Sequence, residues 1–190
     1  MTSFRLPPDA PPAARRPDTD GDPQAFHQFM RTWATGITVV TSRRQGHSVG
    51  CTVTAFTSVS LHPPLLLISL STGSRTLRTL RRRGVFGLNV LSGAQADLAS
   101  HFATAPGDRF ATVPHHLVDG VPLLDTALST AVCQVERAWT VADHTLVLGR
   151  PSHYAARLHA APLIRYDGTA TPLPQIRPTA DDAAPHQDRS

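Results

Sequence analysis

Residues 71–76 read Ser-Thr-Gly-Ser-Arg-Thr, so the hydroxyls of Ser71, Thr72, Ser74 and Thr76 surround Gly73 with Arg75 among them, directly before a run with helical spacing. Free N–H groups at a helix start carry partial positive charge, and hydroxyls with a guanidinium beside them make a site for phosphate. The same residues also suit an ordinary capped helix with solvated arginines, and this stretch alone leaves both readings open. A second candidate is GCTVTAFTSVSL, residues 50–61, in which Thr52, Thr54, Phe56, Ser58 and Ser60 share one parity. On a strand these side chains line one face, of a ligand pocket or of a wet sheet.

Other chemistries are thinned out by what the chain lacks. Its eighteen fully charged basic residues are all arginine, which removes the P-loop lysine and the Schiff-base lysine. Glu136 is the only glutamate, so a glycosidase pair of glutamates is excluded. Among ten histidines there is no HExxH, HxH or Cys-x-x-Cys pattern, which argues against zinc, and no G-x-S-x-G elbow supports a serine hydrolase. His144 follows Asp143 at the entry to a predicted strand, where it is either structural or an acid–base group. His115 and His116 are adjacent, share no face, and read as loop residues. Cys51 and Cys133 show no local sign of activation and read as small apolar residues.

The elements that would position these groups follow from periodicity. PQAFHQFMRTWATG carries Phe26, Phe29, Met30 and Trp33 at helical spacing after a proline start. Strands are predicted in 36–42, in SVGCTVTAFTSVSL, and in the apolar run LLLISLS after Pro63 and Pro64. A helix opened by Ser or Thr and closed by Gly84 leads into a strand at 85–91. SGAQADLASHFA predicts a further helix with Ser92 as its cap. Strands at 129–141, 144–158 and 162–167 complete the series. Many consecutive strands with about three helices imply a mainly β fold, an antiparallel barrel with peripheral helices.

Proline-rich composition at 1–23 and again at 171–190 reads as disordered tails flanking one domain at 24–170. The formal charge of +4 and pI near 10.0 attract anions, but the arginines form no long tract, so no nucleic-acid partner is expected. Two cysteines, no long apolar run and no leader-like start make a soluble, cytoplasmic protein without a membrane partner the expectation.

In their order, TWATGITVVTS, GCTVTAFTSVSLHPPLLLISLSTGSRTL, GVFGLNVLS, ADLASHFA, PGDRF and DHTLVLGR resemble the short-chain flavin reductase family. The likeness spans about residues 26 to 167. It implies a Greek-key split β-barrel that binds FMN or FAD, takes hydride from NADH or NADPH, forms a homodimer, and supplies reduced flavin to a partner monooxygenase. By likeness, Ser71, Ser74, Arg75 and Thr76 lie near the flavin phosphate, and Thr35, Gly36, Thr52, Val53, Thr54 and Ala55 run along the ring and ribityl chain. Ser58, Asn89, His101, Phe102, Arg109 and Phe110 complete or cover the pocket. His144 is the catalytic candidate at the nicotinamide or flavin edge, with Tyr166 near the same rim.

Departures from the family pattern fall at Thr54 and Ala55, where relatives carry Asn or Ser followed by Ser, at Ala142 in place of Gly, and in RYDGTATP in place of an Arg-Gly-Tyr ending. They admit two alternatives to a diffusible-flavin reductase. One is a flavoenzyme with bound FMN acting on a dedicated organic substrate, and the other is a non-catalytic flavin-binding or partner subunit. Hydride transfer would account for the missing protein nucleophiles, because the cofactors carry the hard chemistry.

Overall fold

The computed structural model describes residues 22–157 and 160–174. The expected tails at 1–23 and 171–190 lie largely outside the described residues. Asp22 and Pro23 belong to the first helix, and the last strand runs through Pro172, beyond the expected domain end at 170.

Helix α1 (Pro23–Arg31) starts where proline sits in the first turn and the Asp22 carboxylate accepts from the Gln24 amide. After it, β1 (Thr35–Gly36) and β2 (Thr38–Arg44) lead to a two-residue turn at Gln45 and Gly46, both at positive φ, and back along β3 (His47–Val53). The single strand expected over 48–61 is divided. Thr54 and Ala55 leave the ladder, and β4 (Phe56–Leu61) resumes on the opposite edge of the sheet beside β5 (Pro64–Ser71).

Helix α2 (Arg75–Arg83) has the punctuation that its sequence announces. The Ser74 side chain accepts from the Leu77 amide, and Gly84 ends the helix at φ 72°. Strand β6 (Val85–Val90) follows, then α3 (Ala96–Thr104). Ser92 is not its cap. Gln95 occupies that position, and its side-chain oxygen folds back to accept from the Ser92 amide at 2.8 Å. His115 and His116, expected in a loop, open the short strand β7 (His115–Val118), which pairs with β8 (Val121–Leu124). Two long strands, β9 (Ser129–Val141) and β10 (His144–Ala156), precede β11 (Leu163–Tyr166) and β12 (Thr169–Pro172).

The main sheet is antiparallel, in the order β3-β2-β6-β9-β10-β5-β4, with a second sheet β1-β11-β12. Because its terminal strands β3 and β4 are joined only through Thr54–Ala55, the sheet curls back on itself there. The Ala55 carbonyl accepts from the Ser69 amide of β5 at 2.9 Å. This is the antiparallel barrel with three helices that the residues implied, in the split form that the resemblance implied.

Alternation along β2 feeds two apolar clusters. Val40 joins Ile68, Leu77, Leu80 and Phe86, whereas Val39 joins Phe102, Phe110, Leu124 and Leu163. Helix α2 is therefore anchored by Leu77 and Leu80, which leaves its arginines outside and holds it against β2 and β3.

Candidate functional site

Where β3 and β5 part, a cleft of about 910 Å³ opens between β3, the α2 N-terminus and the loop after α3. Three features build its anion end. Ser74 caps α2, leaving the Arg75 and Thr76 amides without a partner inside the helix. The Ser74 amide donates to the Ser71 carbonyl at 2.9 Å and folds the loop tightly. The Arg78 guanidinium donates to the Gly73 carbonyl at 2.9 Å and holds the other side. Arg75 lies exposed at the cleft, its guanidinium reaching the Gly107 carbonyl at 3.3 Å.

The long wall is β3 with the Thr54–Ala55 link that follows it, and Thr52, Val53, Thr54 and Ala55, the residues the resemblance placed along the ring, all line the cleft. Thr52 donates its hydroxyl to the Ala99 carbonyl at 2.6 Å, so that group ties β3 to α3. Opposite stand Arg109 and Phe110. Arg109 spends its guanidinium on backbone carbonyls, those of Phe102 at 2.7 Å, Ala105 at 2.8 Å and Gly50 at 2.9 Å. It closes the α3 end and fills an open acceptor on edge strand β3.

His144 reaches the cleft through sheet register. It pairs with Ser71 across β10 and β5, and the Thr72 amide donates to the Asp143 carbonyl at 2.9 Å. The ring Nδ1 lies 2.8 Å from the Asp143 carboxylate, and this hydrogen bond holds the Asp143 carboxyl below the usual carboxylate range. The imidazole is half-exposed at the mouth, with one nitrogen fixed and the ring oriented. Ala142, at the start of this turn, has φ 52°, the left-handed region that favours glycine. Ala142→Gly is expected to raise stability by about 0.5 to 1 kcal/mol, read as a Tm increase of about 2 °C in a thermal melt; a lower Tm would show the turn unstrained.

Several expected residues lie elsewhere. Asn89 is fully buried, donating to the Val39 carbonyl at 2.9 Å and accepting from the Leu124 amide at 2.8 Å, so its polar atoms are spent on the fold. Phe102 is fully buried in the core, and His101 Nε2 sits 2.8 Å from the Arg109 carbonyl, behind the wall. Ser58 is exposed on β4, because the break at Thr54–Ala55 ends the shared parity. Gly36 pairs with Ile164. Thr35 and Tyr166 line an adjoining cavity of about 360 Å³ with Trp33, which shares Thr54 with the cleft.

Other lining residues escaped the sequence reading, among them His47, Cys51, Ser69, Asp108 and His115. Ser69 carried a usable signal, since it lies two residues before Ser71 and so on the same face of β5. Burial pushes the Cys51 thiol up against the opposing effect of Thr76, Ser74 and Arg109, and pushes Cys133 up to about 12 from 9.0. Neither is a ready thiolate. The raised Cys133 value contributes stability in full below pH 9.0, lost as pH climbs toward about 12. Iodoacetamide at mildly alkaline pH is expected to spare Cys133 in native protein and to label it in denaturant; labelling at equal rates would contradict its burial.

The donor set suits a flavin nucleotide: a helix N-terminus with hydroxyls and a guanidinium for phosphate, and a strand of small side chains and backbone for a flat ring. Among the described residues no group of histidine, cysteine and carboxylate side chains is placed to hold a metal ion, and no helix is long and apolar enough to cross a membrane.

Known proteins bear on this geometry. The flavin reductase like domain family matches residues 30–174. A protein of Rhizobium meliloti (strain 1021) named "Probable flavin reductase" is 40% identical over 131 residues, 68% of this chain but 42% of that protein's length. The flavin-dependent monooxygenase reductase subunit HsaB of Rhodococcus jostii (strain RHA1) is 30% identical over 168 residues, 88% of this chain and 85% of HsaB. Among solved structures, the NADH:FAD oxidoreductase SgcE6 of Streptomyces globisporus, in complex with NAD and FAD fragments, matches with a TM-score of 0.76 at 30% identity, covering 90% of this chain and 100% of that one.

Proposed function

The chain belongs to the flavin reductase like domain family, and from that premise we propose that it is an NAD(P)H-dependent flavin reductase whose cleft holds FMN or FAD and passes the reduced flavin to a partner monooxygenase. The observation that carries this reading is the α2 N-terminus, with Ser74 and Arg75, at the end of a cleft walled by β3.

When bound, the flavin supplies a two-electron acceptor for hydride from a reduced nicotinamide. The protein's own work is placement. The Arg75 and Thr76 amides and the Arg75 guanidinium would hold the phosphate. Thr52 through Ala55 line the cleft and would flank the ring. His144, steadied by Asp143, stands at the mouth and orients what enters.

Partnership with an oxygenase is supported by HsaB, a monooxygenase reductase subunit. A homodimer is supported by α1, whose Phe26, Phe29 and nearby Trp33 are each about two-thirds exposed. We place the protein in the cytoplasm, in keeping with its two free cysteines.

Titration of intrinsic flavin fluorescence tests the site. FMN and FAD are expected to be quenched at micromolar protein, and Arg75→Gln is expected to weaken FMN about tenfold while sparing riboflavin, which lacks the phosphate. No binding of any flavin would overturn the proposal. Equal loss for FMN and riboflavin would remove the phosphate from the α2 end. Sedimentation velocity should give a dimer mass; a monomer would refute that part.

A further inference from the structure

Beyond the anion end, the cleft continues into a groove of about 250 Å³ between α2 and the β2–β3 hairpin. Its walls share His47, Val49 and Arg75 with the main cleft, so the two spaces are continuous. On α2, Arg75, Arg78 and Arg82 stand at positions i, i+3 and i+7, which is one face of a helix. Across the groove stand Arg44 and His47, paired at the end of the hairpin. Among the described residues none of these four arginines forms a salt bridge. Arg44, Arg78 and Arg82 are exposed, and neither Arg44 nor Arg82 makes a side-chain hydrogen bond there. Like charges gathered on facing walls repel one another, and nothing in the surrounding packing requires them.

We propose that this groove receives the adenosine diphosphate half of FAD, making FAD the preferred flavin. The inference rests on the flavin reading of the adjoining cleft. At about 1.5 Å of rise per residue, Arg82 lies about 10 Å along the helix from Arg75. That length carries a chain from the flavin phosphate through a second phosphate to a nucleoside. Arg44 and Arg78 flank the path of the added phosphate, and the flat Arg82 guanidinium or the His47 ring offers a stacking surface for adenine. FMN ends at its single phosphate and reaches none of this. An adenosine diphosphate group is also part of the nicotinamide nucleotides, and the two sources are separable by measurement.

The test uses the full chain and the double variant Arg44→Gln/Arg82→Gln. Both side chains are exposed and neither lines the main cleft, so the fold and flavin-ring site stay intact. Wild-type protein is expected to bind FAD more tightly than FMN in fluorescence titrations. The double variant is expected to raise the Kd for FAD about tenfold while moving that for FMN less than about twofold, with the KM for NADH and NADPH unchanged. Equal affinity of the wild-type protein for FAD and FMN would overturn the proposal and leave the flavin site standing. A rise in KM for NADPH with the FAD Kd unmoved would assign the groove to the nicotinamide nucleotide and overturn it as well. Failure to bind either flavin would defeat the underlying flavin reading and this inference with it.

Discussion

Phe102→Ala is expected to lower the unfolding free energy by about 4 kcal/mol, the largest single loss anticipated in this chain. The ring is fully buried. It packs edge-on against Phe110 with centroids 5.2 Å apart and against His101 at 5.4 Å, and so joins α3 to the loop that walls the cleft. Close packing extends to the strand behind it, since a Cβ added at Gly50 would stand 2.9 Å from the Phe102 ring. Nothing nearby can move in to refill the hole, and the lost transfer energy is joined by a cavity cost. Urea denaturation reads the loss directly. Because a drop of this size could unfold a domain of ordinary stability, Phe102→Leu serves as the companion. It is expected to cost about 1.5 kcal/mol and to leave flavin affinity within about threefold. A Leu variant of undiminished stability that loses flavin tenfold would place the ring in the cleft and contradict the core assignment.

Arg109→Ala should cost about 3 kcal/mol and weaken flavin binding as well. Its guanidinium satisfies the carbonyls of Phe102, Ala105 and Gly50 together. Hydrogen bonds from a charged donor are worth more than neutral ones, and truncation leaves the acceptors at the α3 end and on β3 unpaired in a half-buried setting. The loop bearing Asp108 and Phe110 then loses its tether to the sheet edge. Arg109→Lys keeps the charge but lacks the planar fork, so it should recover less than half of the lost stability. Full recovery by lysine would show that charge alone, acting on the cleft, is what Arg109 supplies. An alanine variant with unchanged denaturation but weaker flavin binding would say the same.

The two arginines at the ends of this site were not equally readable. Arg75 follows a serine cap and opens a helix that Gly84 closes, and each of those signals is local, so the helix and its N-terminus could be placed from neighbours in sequence, with a phosphate site and a plain cap both left open. Arg109 acts on Gly50, 59 positions away, and no local pattern discloses such a pairing. The same difference separates Thr52 from Asn89. Thr52 sits in an alternating strand whose face was read as either a pocket or a wet sheet surface, and it lines the cleft. Asn89 was placed at the pocket by the resemblance alone, yet its amide serves the distant Val39 and Leu124 backbones.

Strand breaks without glycine or proline were equally silent. Thr54–Ala55 turns the chain from one sheet edge to the other using residues that favour neither turn nor loop strongly, and Ser58 was misplaced as a result. Strand β7 was hidden by its paired histidines, and β8 by Pro122, which its position on a two-stranded ribbon tolerates. The succession of strands and the antiparallel-barrel class, by contrast, were legible in the apolar run of β5 and the strand composition of β9 and β10, while the split form of the barrel was what the family resemblance implied.

The most direct test of the central claim is consumption of NADH and of NADPH by purified protein, followed first without flavin and then with FMN and with FAD added. The account predicts that turnover depends on added flavin and is faster with FAD. Flavin binding at the cleft without consumption of either nicotinamide nucleotide would contradict it, and would turn the search toward a bound-flavin reaction on another substrate.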